Sequence, residues 1–387
     1  MYFGSAPFRY GFVFIFWVVP AALLFADSRN ILTEETTDLQ SVITQVDSLI
    51  KRHLVDAQQA NDFILKWKER LTVLASRNQL LDQKASSSHF TIYASTKESA
   101  EKYLQIAEET LDVYESCFTT LIFSPSTPAQ ILLYPSRAEY LKYDGISSMV
   151  LGHALSNRQK SWTIIKRSDG YHIEQTISSS KKYHRLATSE EKSPFVFIHE
   201  VCHIFTYEIV NPRQLDLAEL RPSVFLNEGI SEFFAAKRNP DVFKSRALGL
   251  LGGKRTDGTT VPPAPPPNLA TMFKSGVNLN DANKAQNFYS EATLTIRWLL
   301  EMPEGPQLVR NLLVADPDQM EGILRNYQRN CGMPADGFAA YAAYRQKILD
   351  ELKLAVAKTP PETAQTSTSS EQQTTSKRER KQRKNEE

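Results

Sequence analysis

The stretch FIHEVCHIF, residues 197–205, sets His199 and His203 four apart, with Glu200 directly after the first histidine. On a helix, residues four apart project from one face, about one turn from each other. Both imidazoles can therefore converge on a single ion, with each nitrogen about 2.0–2.1 Å from it. A buried apolar helix has no packing reason to accept three such side chains. Glu200, beside the pair, is placed to act as a general base on a water. This is the His-Glu-x-x-His pattern of zinc hydrolases. A catalytic zinc takes three protein ligands and keeps one open position, so another segment must supply the third.

The candidate is Glu228 in FLNEGISEFFAA, residues 225–236. Arg221-Pro222 reads as a helix start, and Asn239-Pro240 as its end. Phe225, Phe233, Phe234 and Ala236 give this helix an apolar side, and Glu228 and Glu232 lie one turn apart. Glu228 can reach across to the histidines as the third ligand. Glu232 can accept the free N–H of a ligand histidine and so fix its tautomer; its other reading is an ordinary solvated helix face. Cys202, next to His203, is read as a small buried hydrophobe rather than as a fourth ligand that would close the site.

Taken together, His-Glu-x-x-His followed by a helix reading Asn-Glu-Gly-x-x-Glu-Phe resembles the gluzincin metallopeptidases. Within them it is most similar to the peptidase-MA-like domain family of bacterial envelope proteins. The resemblance implies a Zn²⁺ ion held by His199, His203 and Glu228, and a peptide or protein substrate. A third segment, FYSEATLTIRWLLE (288–301), resembles the helix that opens on an oxyanion-stabilising tyrosine, which maps onto Tyr289. A phenol there can donate to the oxygen that gains negative charge in the tetrahedral adduct; the alternative is an amphipathic core tyrosine. The likeness covers about residues 89 to 350. The Gly-x-Met-Glu-Asn motif of the aminopeptidase branch is absent, so an exopeptidase that anchors a free amine is not supported.

These side chains need a scaffold, and the 387 residues are enough for one large or two ordinary domains. Strand-like runs at 89–94 and 130–134, helices over 97–121 and from Arg137, and a hairpin pairing 161–167 with 171–178 precede the motif helix. Helices dominate after it. That order predicts an α+β fold: a small N-terminal strand/helix lobe, then a mainly helical metallopeptidase lobe, with the zinc site between them. A substrate would lie along an edge strand, with 161–167 the expected stretch. The Gly- and Pro-rich segment 252–267 reads as a loop.

Around this 89–355 domain, the sequence places three further segments. Residues 11–26 form an unbroken apolar run after Arg9, which reads as a cleaved signal peptide or as a short retained membrane anchor over 1–26. Either way the bulk of the chain is exported, to a periplasmic, envelope or extracellular location, with membrane association through this segment in the second case. Residues 30–84 are helical, as a stalk, a coiled coil or helices packed on the main domain. Residues 358–387 lack large apolar side chains and read as a disordered tail, ending near the basic cluster KRERKQRK. A net charge of +1 gives no general argument for nucleic acid, and none is expected as a partner. Three cysteines do not make a disulfide framework. The functional expectation is an exported zinc-dependent peptidase. The rival is a catalytically inactive metallopeptidase-like scaffold whose 30–84 helices bind a partner.

Overall fold

The computed structural model describes residues 31–358, apart from 53–56, 120–122, 124, 126, 146–149, 168–169, 191–193, 211–222, 255–259 and 278–280. The signal or anchor segment 1–26, the tail beyond 358 and the Arg221-Pro222 helix start lie outside the described residues. Among the described residues, no helix is long and apolar enough to cross a membrane.

Two helices, α1 (Ile31–Lys51) and α2 (Ala57–Leu80), come first. Their apolar residues recur at three- and four-residue spacing, which puts them on one stripe of each helix. Leu39, Val42, Ile43 and Val46 of α1 pack on Ala60, Ile64, Trp67 and Leu74 of α2, forming a core of their own. The far end of α2 reaches the sheet, where Val73, Leu80 and the following Leu81 join a second cluster.

The sheet begins at β1 (Gln83–Ser86), which runs antiparallel to β2 (Phe90–Ala94). β1 is earlier than the expected start at 89; its four residues, QKAS, carry no apolar alternation to announce a strand. Thr96 caps α3 (Lys97–Cys117) by accepting from the Ser99 N–H, and α3 ends short of the expected 121. β3 (Ala129–Tyr134) then lies parallel to β2. Ser136 caps α4 (Arg137–Tyr143). β4 (Gly152–Arg167) and β5 (Gly170–Ser189) form a longer antiparallel pair than the expected hairpin. The strand order is β1-β2-β3-β5-β4, so β5 enters beside β3 and β4 is left at the edge.

Side chains on a strand alternate between faces. Ile131 and Leu133 of β3 therefore join the main core, while Leu132 and Tyr134 face Tyr140 and Tyr143 of α4. The main core continues through α5 (Phe195–Val210) into α6 (Val224–Arg238). Beyond them come α7 (Pro240–Gly249), a two-residue ladder of β6 (Gly253–Lys254) and β7 (Thr260–Val261) inside the expected loop, and α8 (Leu269–Met272). The chain then runs through α9 (Ala282–Leu300), α10 (Gly305–Leu313), α11 (Met320–Asn330) and α12 (Ala339–Lys358). The fold is α+β, a five-stranded sheet followed by a helical region. α5 is apolar on nearly all sides because it lies at the seam, with α3 and the sheet on one side and α6 on the other.

Candidate metal centre

Helix α5 buries Phe197, Ile198, Val201, Cys202, Ile204 and Phe205 completely or almost so. That packing leaves His199 and His203 to turn toward α6. α6 is held in place from behind by α9. A Cβ on Gly229 would lie 2.6 Å from the Ala292 carbonyl oxygen and 2.8 Å from Ile296 Cγ1. Only glycine allows this approach, and it offsets the roughly 1 kcal/mol that a glycine costs a helix interior relative to alanine. The residue just before it is Glu228.

The three expected ligand residues converge. His199 Nε2 lies 3.1 Å from Glu228 Oε2 and 3.1 Å from His203 Nε2, and His203 Nε2 lies 3.6 Å from Glu228 Oε2. Ligand atoms bonded tetrahedrally at about 2.0–2.1 Å would be about 3.3–3.4 Å apart. The triangle thus has the dimensions of one face of a tetrahedral zinc site. It is the group among the described residues whose atoms could hold a metal ion.

The far nitrogens of both rings are engaged as well. His199 Nδ1 lies 3.1 Å from Glu232 Oε1, so Glu232 faces the ligand histidine rather than forming a solvated helix face. Glu232 is buried. His203 Nδ1 lies 3.1 Å from Asn227 Oδ1 and 3.0 Å from Ser231 Oγ. A proton kept on each Nδ1, beside these oxygens, would leave each Nε2 to offer its lone pair to an ion. Asn227 and Ser231 were not foreseen. The signal was present: Ser231 lies three residues after Glu228, on its face of α6, and Asn227 lies four before Ser231, so the two can meet one ring.

No family model matches this chain, and no curated protein matches it.

Glu200 lies under the start of β4. A Cβ on Gly152 would meet Glu200 Cγ at 2.9 Å and Thr188 Oγ1 at 2.9 Å. Thr188 in turn donates to the Leu151 carbonyl at 3.1 Å. The edge stretch beside the site is thus the beginning of β4, not 161–167 as expected. Within 161–167, Ile164 packs instead on the α1–α2 core. The Tyr289 ring stands edge-on to His199, with centroids 6.3 Å apart, and packs partly buried against the main core. Tyr207, one turn past His203, has its ring 6.5 Å from that imidazole. Cys202 is fully buried in the apolar core, and burial pushes its thiol well above the usual range. His184 pairs with Glu208 at 2.6 Å and His153 with the Tyr140 hydroxyl at 3.1 Å, both apart from the ligand group.

The electrostatics follow from this packing. Burial alone would lower the pKa of His199, but its bonds to Glu228 and Glu232 outweigh that and lift it to about 10. His203 is likewise raised against its burial, chiefly by Glu228. Glu228 is held well below the carboxylate range, burial being overcome by the two imidazoles. Burial raises Glu200, with the imidazoles opposing. The buried carboxylates are thus balanced by positive charge on the histidines. One divalent cation at the shared Nε2 and Oε2 face can supply the same balance.

Proposed function

We propose that this protein is a zinc-dependent hydrolase of gluzincin type, best read as an exported peptidase. The single observation that carries the reading is the convergence of His199 Nε2, His203 Nε2 and Glu228 Oε2 at 3.1–3.6 Å. The donor set, two imidazoles and one carboxylate, suits zinc and leaves a fourth position for substrate or water. The motif likeness at 199–203 and 228–232 supports the family reading, and the apolar run at 11–26 supports export.

When bound, the ion supplies Lewis-acid polarisation of the scissile carbonyl and makes a water easier to deprotonate. The chain's own residues do the rest. Glu200 accepts the proton of the attacking water and passes it to the leaving amine; its raised pKa suits a group that must both take and give a proton. Tyr289, beside His199, donates its phenol to the oxygen as negative charge develops there. Glu232, Asn227 and Ser231 keep the imidazoles in the ligating tautomer. An extended peptide fits along the free edge of β4 near Gly152.

The test is metal analysis of the purified protein beside His203→Ala. Wild type should carry one zinc per chain and His203→Ala none, since two protein ligands rarely retain the ion. A wild-type protein that takes up no divalent metal from a zinc-containing buffer would end this reading. Stoichiometric zinc without hydrolysis of a broad peptide library would favour the scaffold instead.

A further inference from the structure

The run VPPAPPPN, residues 261–268, contributes nothing to the group that could hold a metal. Five of its residues are proline. A proline ring fixes φ near about −65° and removes the backbone N–H. It also pushes the residue before it out of the helical region. Together these effects favour a polyproline II helix, with three residues per turn. Burial along the run has that period. Ala264 and Pro267, three apart, are partly buried, and Ala264 packs on the main core. Pro262 and Pro265 are exposed, and so are Pro263 and Pro266. One ridge of the helix thus faces the protein, and the other two face solvent.

The run is held firmly at its centre. Between 262 and 267, only Ala264 has a backbone N–H to give. That N–H donates to the Leu250 carbonyl at 2.9 Å, just past the end of α7. The Ala264 carbonyl accepts from Arg345 Nη2 of α12, also at 2.9 Å. Arg345 Nε in turn lies 2.7 Å from Glu291 Oε1 of α9, with both side chains buried, and Tyr341 donates to the other oxygen at 2.6 Å. Three helices therefore fix one residue of the packed ridge. The exposed prolines on either side are displayed on a rigid support.

We propose that residues 262–267 are a preformed docking ridge for a partner domain with an aromatic-lined groove of the kind that reads Pro-x-x-Pro ligands. Such grooves exploit a polyproline helix because little conformational freedom is lost on binding. The required spacing occurs on both solvent-facing ridges, at 262 and 265 and at 263 and 266. At about 3.1 Å per residue, six residues span roughly 19 Å. The inference is independent of the zinc reading.

The experiment uses the full chain and two labelled probes, a WW domain and an SH3 domain that bind Pro-x-x-Pro peptides, followed by fluorescence anisotropy. A free peptide of residues 260–268 is the reference. At least one probe should bind the full chain no more weakly than it binds the peptide. Pro262→Ala with Pro265→Ala should weaken that binding about tenfold, as truncated anchors do. Pro267→Ala, on the packed ridge, should leave it unchanged. Thermal melting checks that each variant is folded, and Pro263→Ala with Pro266→Ala tests the second ridge in the same way. Binding to the peptide but not to the full chain would mean that the ridges are covered. Silence of both probes toward both ligands would remove this partner class. Equal binding by wild type and both ridge variants would place the contact elsewhere. Each of these results overturns the inference.

Discussion

Among the described residues, Asp144 and Glu228 are largely buried carboxylates held well below their usual range, and they reach that state by different means. Asp144 sits behind the sheet. Both its oxygens lie 3.0 Å from Arg185 Nη2, Tyr134 donates to it, and Arg77 adds further positive charge. Glu228 has only imidazoles for counter-charge. A guanidinium does not give up its proton in a protein, so the Asp144 cluster is complete as it stands. An imidazole can give up its proton and then offers a lone pair in the same place. Buried charge alone therefore does not mark a site. What marks Glu228 is that its cations are exchangeable, and that the far nitrogen of each ring is already tied by Glu232 or by Asn227 and Ser231.

If that contrast is right, breaking the two clusters should have different consequences. Arg185→Ala strands Asp144 in the interior and should cost about 3–5 kcal/mol of stability, as for a buried pair that loses one partner. Zinc per folded chain should not change. A denaturant titration beside metal analysis checks both halves, and a large loss of zinc from the folded variant would show that the clusters are not independent.

Glu232→Ala acts on the other cluster. It releases His199 Nδ1 and should weaken zinc 10–100-fold, with little change in the stability of the metal-free protein. Chelator competition reads the first and thermal melting the second. Unchanged affinity would reduce Glu232 to a buried acid with no bearing on the metal.

A smaller effect is expected where the sheet touches the chemistry. Gly152→Ala puts a methyl group 2.9 Å from Glu200 Cγ, so the glutamate must shift. Zinc affinity should stay as in wild type while peptide turnover falls about tenfold, because small misplacements of a reacting group are costly. Equal losses of zinc and turnover would mean that the methyl disturbs α5 as a whole.

How much of this was legible in the sequence follows from range. The histidine pair, Glu228 and Glu232 are helix-periodic, and three- and four-residue spacing places such side chains without knowledge of the fold. The α+β order was legible from the change from strand-like to helical runs. What escaped depended on neighbours distant in the chain. Gly152 meets Glu200 only because β4 takes the sheet edge above α5, and nothing near 152 announces that. β1 was missed because QKAS is polar and owes its strand to pairing with β2. The stretch 161–167 was a sound edge-strand expectation, but it lies far along β4, where Ile164 packs on α1 and α2. Ser231 could have been found by asking which residues share the face of Glu228, and Asn227 by asking which lie one turn from Ser231.

If Glu200 does chemistry at a zinc ion held by His199, His203 and Glu228, Glu200→Gln should separate that chemistry from metal binding. The change keeps size and hydrogen bonding but removes the base. Zinc content and turnover of a peptide library should be measured on the same preparation. One zinc per chain is expected in both proteins, with equal melting temperatures and hydrolysis in wild type that falls by at least about 100-fold in the variant. Hydrolysis at the wild-type rate by zinc-loaded Glu200→Gln would contradict a chemical role for Glu200.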